Sequence, residues 1–404
     1  MPNEAGIGAL RVNFVRETTP GTTPTNPAWL RFSNEINSVG GWAPNTNLTA
    51  RTAVGSPDVQ GFSIGAEDHE LTISYSLQRW LTAATETPLD AIADGLYRDS
   101  SGYIKSRHSF LARQDLPAPA GVDAKGVRIY TYGTGGVFQS ATLSGDPGSG
   151  EPVTVEGSYR FEHMRSYAVN QPNANTALQI VSSDAADTTQ TLTIETDGAS
   201  VSEAISLNGT TPVTSSASTF GTIDSFRLSA ETEGDIDVFF VTGGSPVFRI
   251  IGKNNQQEIG GDLGMALLGS GSFESALSGA FEHILGDTIT KGGSAIDTNV
   301  MALSVAVANN IEATPVTRQK AKVLSEGMRA ITADATVFGE SSSHSSMVDH
   351  LKATSGDIVW TMAGGTVTLN SAVLTSPGAR QYAKGNATMQ RGNTFTATDL
   401  TITP

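Results

Sequence analysis

The chain has 404 residues, a formal charge of −15, 38% hydrophobic residues and no cysteine. The absence of cysteine excludes disulfide scaffolds, thiolate zinc sites and cysteine nucleophiles. The acidic balance argues against extended DNA wrapping, which requires many lysines and arginines on phosphates. The 47 threonines and 43 glycines favour a β-rich protein. No apolar run is long enough to span a membrane, so we predict no membrane partner.

The first predicted elements are two long irregular segments and one strand. Residues 17–28 are rich in Thr, Pro and Gly, which predicts a loop or an extended arm, and residues 40–65 predict a second long loop. Apolar residues then occupy every second position over 71–77, which predicts a strand with one buried face. Thr87 is a suitable N-cap for a short amphipathic helix over 87–98.

Strand patterns dominate residues 125–172. We predict strands at 127–132, 138–143 and 152–164. The glycine cluster at 133–136 is interpreted as a hairpin turn rather than a phosphate-binding loop, and the Gly/Ser/Pro-rich segment 144–150 predicts another turn.

Residues 173–250 differ in charge from the rest of the chain. This segment holds ten acidic residues and two basic ones, and turn-rich sequences flank it. We therefore predict three units: 1–172 as the first part of a core domain, 173–250 as an inserted acidic module, and 251–404 as the second part of the core. The module is predicted to be a small Ig-like β-sandwich, with short strands at 178–181, 190–195, 204–207 and 235–241 and hairpin-type turns at 197–198 and 208–209.

Strand patterns continue after the module. Alternation predicts strands at 300–311, 315–338, 357–362, 366–374, 386–389 and 394–402. The segment 345–352 predicts a second short helix. The fold class is therefore mainly β, with one or two short helices and long extended arms.

No motif of an enzyme, cofactor site or metal site is present. The chain has no Walker A loop, HExxH helix, EF-hand loop or G-x-S-x-G turn. Asp235 and Asp237 share one strand face, as paired catalytic carboxylates can, but neighbouring acids favour a solvated acidic face. His344 and His350 lack the spacing of metal ligands on one helix face. We predict no catalytic residues, cofactor or metal ion.

Two tryptophans lie in the Gly/Pro-rich arms. Trp29 and Trp42 are candidate anchors for the arms on a neighbouring subunit, because exposed aromatic residues often fill pockets in a partner. The alternative is that each arm folds onto the core of its own chain. The sequence does not favour either of the two.

Several short segments resemble the major tail tube proteins of long-tailed, siphophage-like viruses. The N-terminal part reads VRETTPG at 15–21 and PTNPAW at 24–29, similar to an E-T-x-x-G-x-x-P opening followed by Trp in that family. The strand at 71–77 followed by PLDAI at 88–92, and the segments GGTVTL at 364–369 and FTATDL at 395–400, also resemble it. The segments VSSDAADT at 181–188 and SLNGTTPVT at 206–214 resemble a small β-module that recurs in virion proteins.

The resemblance implies a β-sandwich or barrel core whose copies form rings, typically hexamers, that stack into a tail tube. The partners implied are further copies of the chain and other tail proteins at the tube ends. Viral DNA would pass through without specific binding. The arms would reach adjacent subunits, the module would decorate the outside, and the protein would be made in the host cytoplasm and reside in the virion tail.

Other functions stay open at this point. The chain is also compatible with a decoration, capsid-associated or baseplate protein, with a glycan-binding adhesin, and with a depolymerase that uses Asp235 or Asp237. Self-assembly into rings distinguishes the tube protein from all of these alternatives.

Overall fold

A computed structural model of the chain describes residues 10–25, 27, 29–41, 45–52, 59–78, 106–117, 125–196, 201–216, 219–255, 263–267, 279–296, 300–314, 323–325, 327–338, 351–378, 381–382 and 389–403. The described residues are mostly strands that pair antiparallel, which confirms the mainly β fold class. The strands are β1 (Leu10–Arg16), β2 (Leu30–Arg31), β3 (Ile36–Gly40), β4 (Asn45–Thr52), β5 (Val59–Ser76), β6 (His108–Pro117), β7 (Gly126–Gly145), β8 (Thr154–Phe161), β9 (His163–Gln171), β10 (Leu178–Ser182), β11 (Thr191–Glu195), β12 (Ser202–Ser206), β13 (Val213–Thr214), β14 (Ser225–Leu228), β15 (Ile236–Phe240), β16 (Pro246–Ile250), β17 (Thr288–Lys291), β18 (Ser294–Ala295), β19 (Val300–Ala308), β20 (Glu312–Thr314), β21 (Val323–Ser325), β22 (Ala330–Phe338), β23 (Ser355–Met362), β24 (Gly365–Pro377), β25 (Gln381–Tyr382), β26 (Met389–Thr396) and β27 (Asp399–Thr403).

Two sheets that share strand β7 form the body of the protein. The main sheet runs β5–β8–β7–β19–β22–β26–β24–β23–β17, with β27 beside β24. The N-terminal sheet runs β2–β1–β6–β7–β9 and uses only the first part of β7. The chain crosses between the two sheets several times, and two of these crossings lie within β7 and between β8 and β9.

The glycine cluster at 133–136 is where β7 changes sheets. The prediction of a hairpin turn here is wrong, because β7 is one continuous strand from Gly126 to Gly145. Residues up to 136 pair with β6, whereas residues from 137 pair with β8. The predicted strand 152–164 is likewise divided at Glu162 into β8 and β9. We call residues 133–136 together with Glu162 the corner.

The corner requires glycine for space and for conformation. Gly135 has a φ of +68°, and a Cβ atom on it would lie 2.7 Å from the carboxylate of Glu162. A Cβ atom on Gly136 would lie 2.6 Å from the carbonyl oxygen of His108. Strand pairing therefore continues through a bend at which only glycine fits.

Aromatic rings join the inner faces of the two sheets. Phe32, which follows β2, and Phe110 of the N-terminal sheet stack with ring centroids 5.5 Å apart, and Phe110 lies 4.5 Å from Tyr159 of the main sheet. Phe32 also packs 5.2 Å from Tyr75. The predicted strand 71–77 is confirmed, since Leu71, Ile73, Tyr75 and Leu77 are all buried in this core.

The segment 281–291 closes the main sheet. The Glu282 N–H donates to the Leu77 carbonyl oxygen at 2.9 Å, and Val153 N–H donates to the Glu282 carbonyl oxygen at 2.7 Å. A few residues later, β17 pairs with β23 at the far end of the strand order. The main sheet therefore curves around the core, whose members include Trp360 and Leu369 from the far strands.

Strands β10–β16 form two separate small sheets packed as a sandwich. One sheet is β13–β10–β15–β16 and the other is β12–β11–β14. Pairing continues beyond residue 250, because the Leu228 N–H donates to the Leu263 carbonyl oxygen at 2.8 Å and Met265 is buried among the sandwich residues. The division of the chain into 1–172, 173–250 and 251–404 stays a prediction. The turn at 208–209 is not a hairpin, because it connects β12 and β13, which lie in opposite sheets.

The predicted loop over 40–65 is a two-stranded ribbon. β4 pairs with the first half of β5 from Asn45↔Asp68 to Thr52↔Val59. The prediction of an unpaired loop is therefore wrong at the described residues, because glycine and proline do not prevent pairing when they fall at strand ends and bulges. The last predicted strand, 394–402, is divided by a bend at 397–398 into β26 and β27.

Helical structure is minimal in the described residues. It consists of a 3-10 turn at Lys253–Asn255 and the two residues Leu351 and Lys352. The predicted helix 87–98 and residues 345–350 of the second predicted helix lie outside the described residues. Within the described part of the chain, no helix is both long and apolar enough to cross a membrane.

Candidate functional site

The solvent-facing side of the main sheet carries an array of small hydroxyl side chains. Its strands alternate, with apolar residues in the core and Thr or Ser facing out. One row of paired residues runs Thr154–Ser144–Ser304–Asp334–Thr394–Ser376 across six strands. A second row runs Glu156–Thr142–Ala306–Thr332–Thr396. We call these two rows the hydroxyl face.

The two rows of the hydroxyl face have negative charge and no cation. Further along the same side of β8, Arg160 Nη1 donates to the Ile311 carbonyl oxygen at 3.1 Å. Glu156 and Asp334 belong to the two rows, and Thr394 Oγ1 donates to Asp334 Oδ1 at 2.5 Å. The outward positions of β19, β22, β24, β26 and β27 hold no lysine or arginine where the structure describes them. The two rows can form weak hydrogen bonds, but they offer no positive charge to a phosphate group.

The β4–β5 ribbon adjoins the edge of the main sheet. The second half of β5, His69–Ser76, pairs with β8 inside the sheet. The first half pairs with β4 alone among the described strands. A lone two-stranded ribbon is marginally stable in water, so its outer edges are suited to pair or pack with another surface.

The N-terminal arm binds to the corner through Glu17. Glu17 Oε1 accepts hydrogen bonds from Ser109 Oγ and from the Gly135 N–H, both at 2.7 Å. Glu17 Oε2 accepts one from the Gly21 N–H, also at 2.7 Å. The side chain is only 6% exposed. A single carboxylate thus joins the arm, β6 and the bend of β7.

A relay of hydroxyl groups fixes the next part of the arm. Thr23 Oγ1 donates to Ser109 Oγ at 2.7 Å, and the Tyr132 hydroxyl contacts Thr23 Oγ1. Burial is the main cause that raises the pKa of Tyr132 to about 12, so its hydroxyl keeps its proton. Beside this relay, Arg107 forms an ion pair with Glu162 of the corner.

The structure places Trp29 inside its own chain. Trp29 is 5% exposed and belongs to the cluster that contains Val15, Leu111 and Tyr130. Its burial favours folding of the arm onto the chain's own core. Trp42 lies outside the described residues. The role of inter-subunit anchor stays a prediction for both.

The sandwich docks on the outer face of the N-terminal sheet. Residues of that sheet alternate between two cores, so Phe14 and Phe110 enter the main core while Val15 and Leu111 enter the second. The second core continues into the sandwich, where Tyr167 packs edge-on against Phe226 at 5.1 Å. The layers therefore follow the order hydroxyl face, main sheet, N-terminal sheet, sandwich.

A polar cluster binds one loop of the sandwich at this seam. The backbone of Ile223 exchanges two hydrogen bonds with the Gln171 side chain and accepts a third from the Tyr130 hydroxyl at 3.1 Å. The next residue, Asp224, is buried and forms an ion pair with Arg128. Burial and the charge of Asp224 raise the pKa of Tyr130 well above its usual value.

Asp115 holds the two arginines of the seam in place. It accepts hydrogen bonds from Arg113 Nη2 and Arg128 Nε, each at 3.0 Å. Partial burial acts to raise the pKa of Asp115, but the hydrogen bonds and charges of both arginines outweigh it and lower that pKa.

The acidic residues proposed as alternatives for catalysis have structural partners. Asp235 is 9% exposed, and its Oδ1 accepts from the Gly252 N–H and Asn255 Nδ2, both at 2.8 Å. Asp237 accepts two hydrogen bonds from Arg249. The interpretation of a wholly solvated acidic face is wrong for Asp235, because the chain folds back over it after β16.

Metal-ligating residues do not cluster in the part of the chain that the structure describes, where no group of three or more His, Asp or Glu is arranged to hold an ion. His344 and His350 lie outside the described residues.

Comparisons with known proteins give little further information. No protein-family model matches the chain, and no curated protein sequence matches it. A solved structure to which it is similar is the Dit protein of phage SPP1, a hub of the adsorption apparatus in phages that infect Gram-positive bacteria. The identity is 13%, and the match covers 59% of this chain and 93% of Dit, with a TM-score of 0.18. A TM-score this low does not establish a common fold.

Proposed function

We propose that this protein is a structural component of a viral tail, in which its copies form rings, six to a ring, that stack into the tail tube. The observation that carries the proposal is the hydroxyl face, a broad sheet surface whose described outward positions on β19, β22, β24 and β26 hold no lysine or arginine. Such a surface is suited to line a channel through which DNA moves, because each cation on it would bind a phosphate and slow the passage.

The layer order supports this arrangement. The sandwich docks on the side of the body opposite the hydroxyl face. If the hydroxyl face lines the lumen, the sandwich therefore lies on the outside of the tube. Residues 173–250 hold ten acidic and two basic residues, a net charge of −8 out of −15 for the chain. In this arrangement, more than half of the net negative charge therefore lies on the outside of the tube, away from the DNA.

The β4–β5 ribbon and the N-terminal arm supply contacts between copies. Stacked rings need heterologous contacts, in which one surface of a copy meets a different surface of the next. A ribbon that pairs with no other described strand is suited to this role, since assembly covers its edges. Other tail proteins would meet the same surfaces at the tube ends.

We also propose that the protein is not an enzyme. Asp235 and Asp237, the carboxylates considered for catalysis, bind backbone, Asn255 and Arg249 within the sandwich. Their geometry serves the fold of the loop after β16.

Electron microscopy of the purified protein in low and in molar salt tests the proposal. Rings or tubes with a central channel are the expected result, and their symmetry gives the number of subunits. Persistent monomers under both conditions would contradict it and favour a decoration protein or an adhesin, which a glycan-binding screen then separates.

A further inference from the structure

The geometry points to Glu17 as the positioning residue that holds the arm segment 18–25 in the conformation in which a neighbouring copy of this chain meets it. The inference rests on the proposed function for the neighbouring copy, whereas the local role of Glu17 stands on the hydrogen bonds of the single chain. Glu17 binds the arm at Gly21 with one oxygen and the body at Ser109 and Gly135 with the other.

Both ends of the clamp have little freedom to move. On the body side, the Gly135 N–H projects from a bend that tolerates no side chain, because Glu162 lies against it. On the arm side, Gly21 has a φ of +75°, and a Cβ atom on it would lie 2.9 Å from the Glu162 carboxylate. The arm therefore seats its turn directly on the corner, and Glu17 supplies the only acceptor that the structure shows for both of these N–H groups.

The acceptor must be a carboxylate. All three groups that face Glu17 are donors, and the two oxygens of a carboxylate satisfy them together. An amide in the same place keeps one oxygen, which can serve Ser109 and Gly135. Its NH2 group then faces the Gly21 N–H, so the body side of the clamp holds and the arm side opens.

Amide hydrogen exchange measures this opening within the single chain. In Glu17→Gln, we expect the Gly21 amide to exchange at least about tenfold faster, while Gly135 stays protected. In Glu17→Ala, both amides lose protection. Glu162→Gln is the matched control, because it alters a carboxylate at the same corner that accepts neither N–H. Unchanged exchange of Gly21 in both Glu17 variants would overturn the local role.

A covalent tether tests whether position is what matters for assembly. Thr23 Oγ1 and Ser109 Oγ are 2.7 Å apart, and the chain contains no cysteine. Thr23→Cys with Ser109→Cys therefore gives one defined disulfide between arm and body. We expect Glu17→Gln to fold but form few rings, the oxidised cysteine pair in that background to restore them, and reductant to abolish them again.

The outcomes separate this inference from the proposed function. If the natural sequence assembles and the oxidised tether does not restore rings to Glu17→Gln, Glu17 does not act by positioning the arm. If the natural sequence forms no rings, the proposed function fails, while the exchange of Gly21 still decides whether Glu17 holds the arm.

Discussion

Gln171 at the end of β9 and Ile223 of the sandwich exchange two hydrogen bonds, from Gln171 Nε2 to the Ile223 carbonyl oxygen at 3.1 Å and from the Ile223 N–H to Gln171 Oε1 at 2.9 Å. All four groups are buried. Two hydrogen bonds between a side-chain amide and one backbone residue fix both the distance and the orientation of the sandwich relative to β9. The sandwich is therefore docked at a defined angle and is not held by its connecting segments alone.

Truncation of Gln171 tests this docking. Gln171→Ala leaves the Ile223 N–H buried without its acceptor, which costs about 1–3 kcal/mol of unfolding free energy. Urea unfolding measures the change. Asn170→Ala is the matched control, because its amide donates to the Pro246 carbonyl oxygen at an exposed position and we expect a loss of about 0.5 kcal/mol or less. Equal losses in both variants would contradict a specific seam.

The seam also gives the protein a pH dependence with a definite sign. Arg113 and Arg128 lower the pKa of Asp115 in the folded chain, so Asp115 binds its proton less readily there than in the unfolded chain. Its stabilising contribution is complete above the unfolded pKa of about 3.9 and is lost as the pH falls through the lower folded pKa. Asp115→Asn should therefore unfold at lower urea concentration than the natural sequence at pH 7, with the difference shrinking towards pH 2. A constant difference across that range would contradict the assignment.

Alanine substitutions at two glycines distinguish the cost of an unfavourable φ from the cost of a steric clash at the corner. Gly135 and Gly150 have φ values of +68° and +71°, so alanine at either position adopts an unfavourable backbone conformation that costs about 1–2 kcal/mol. Only at Gly135 does the new Cβ atom meet the Glu162 side chain, whereas nothing lies within 4 Å at Gly150. We expect Gly135→Ala to cost about a further 1–3 kcal/mol in thermal or urea unfolding. Similar losses at both positions would show that the corner adapts to the larger residue.

The strands were predictable where alternation is regular, and the corner was not. Leu71 and Ile73 alternate with polar residues, and this pattern depends only on one buried face. Gly133 and Gly136 resemble a hairpin turn in sequence, since both a turn and a sheet-changing bend require glycine. Only the pairing partners on each side distinguish the two.

The candidate site shows the same limit. The E-T-x-x-G motif is visible in the sequence, but the acceptor role of Glu17 depends on Ser109 and Gly135, which are distant in the chain. The hydroxyl face is also assembled from many strands, so no local window reveals it. The 47 threonines favour strands, but the composition does not assign them to one face of one sheet.

Cations placed on the hydroxyl face test which surface lines the channel. Thr332 and Ser304 lie on this face, in adjacent strands. Thr332→Lys puts one new cation per copy on it, while Thr214→Lys puts the same charge on an exposed strand of the sandwich.

Tubes assembled with short duplex DNA and then treated with nuclease report where DNA is held. We expect Thr332→Lys tubes to retain protected DNA that molar salt releases, since lysine–phosphate contacts weaken steeply with salt. DNA bound to Thr214→Lys tubes should be digested by the nuclease, because it lies on the outside. Tubes of the natural sequence should bind almost no DNA. Protection in the Thr214 variant, or digestion in the Thr332 variant, would place the hydroxyl face on the outside of the tube.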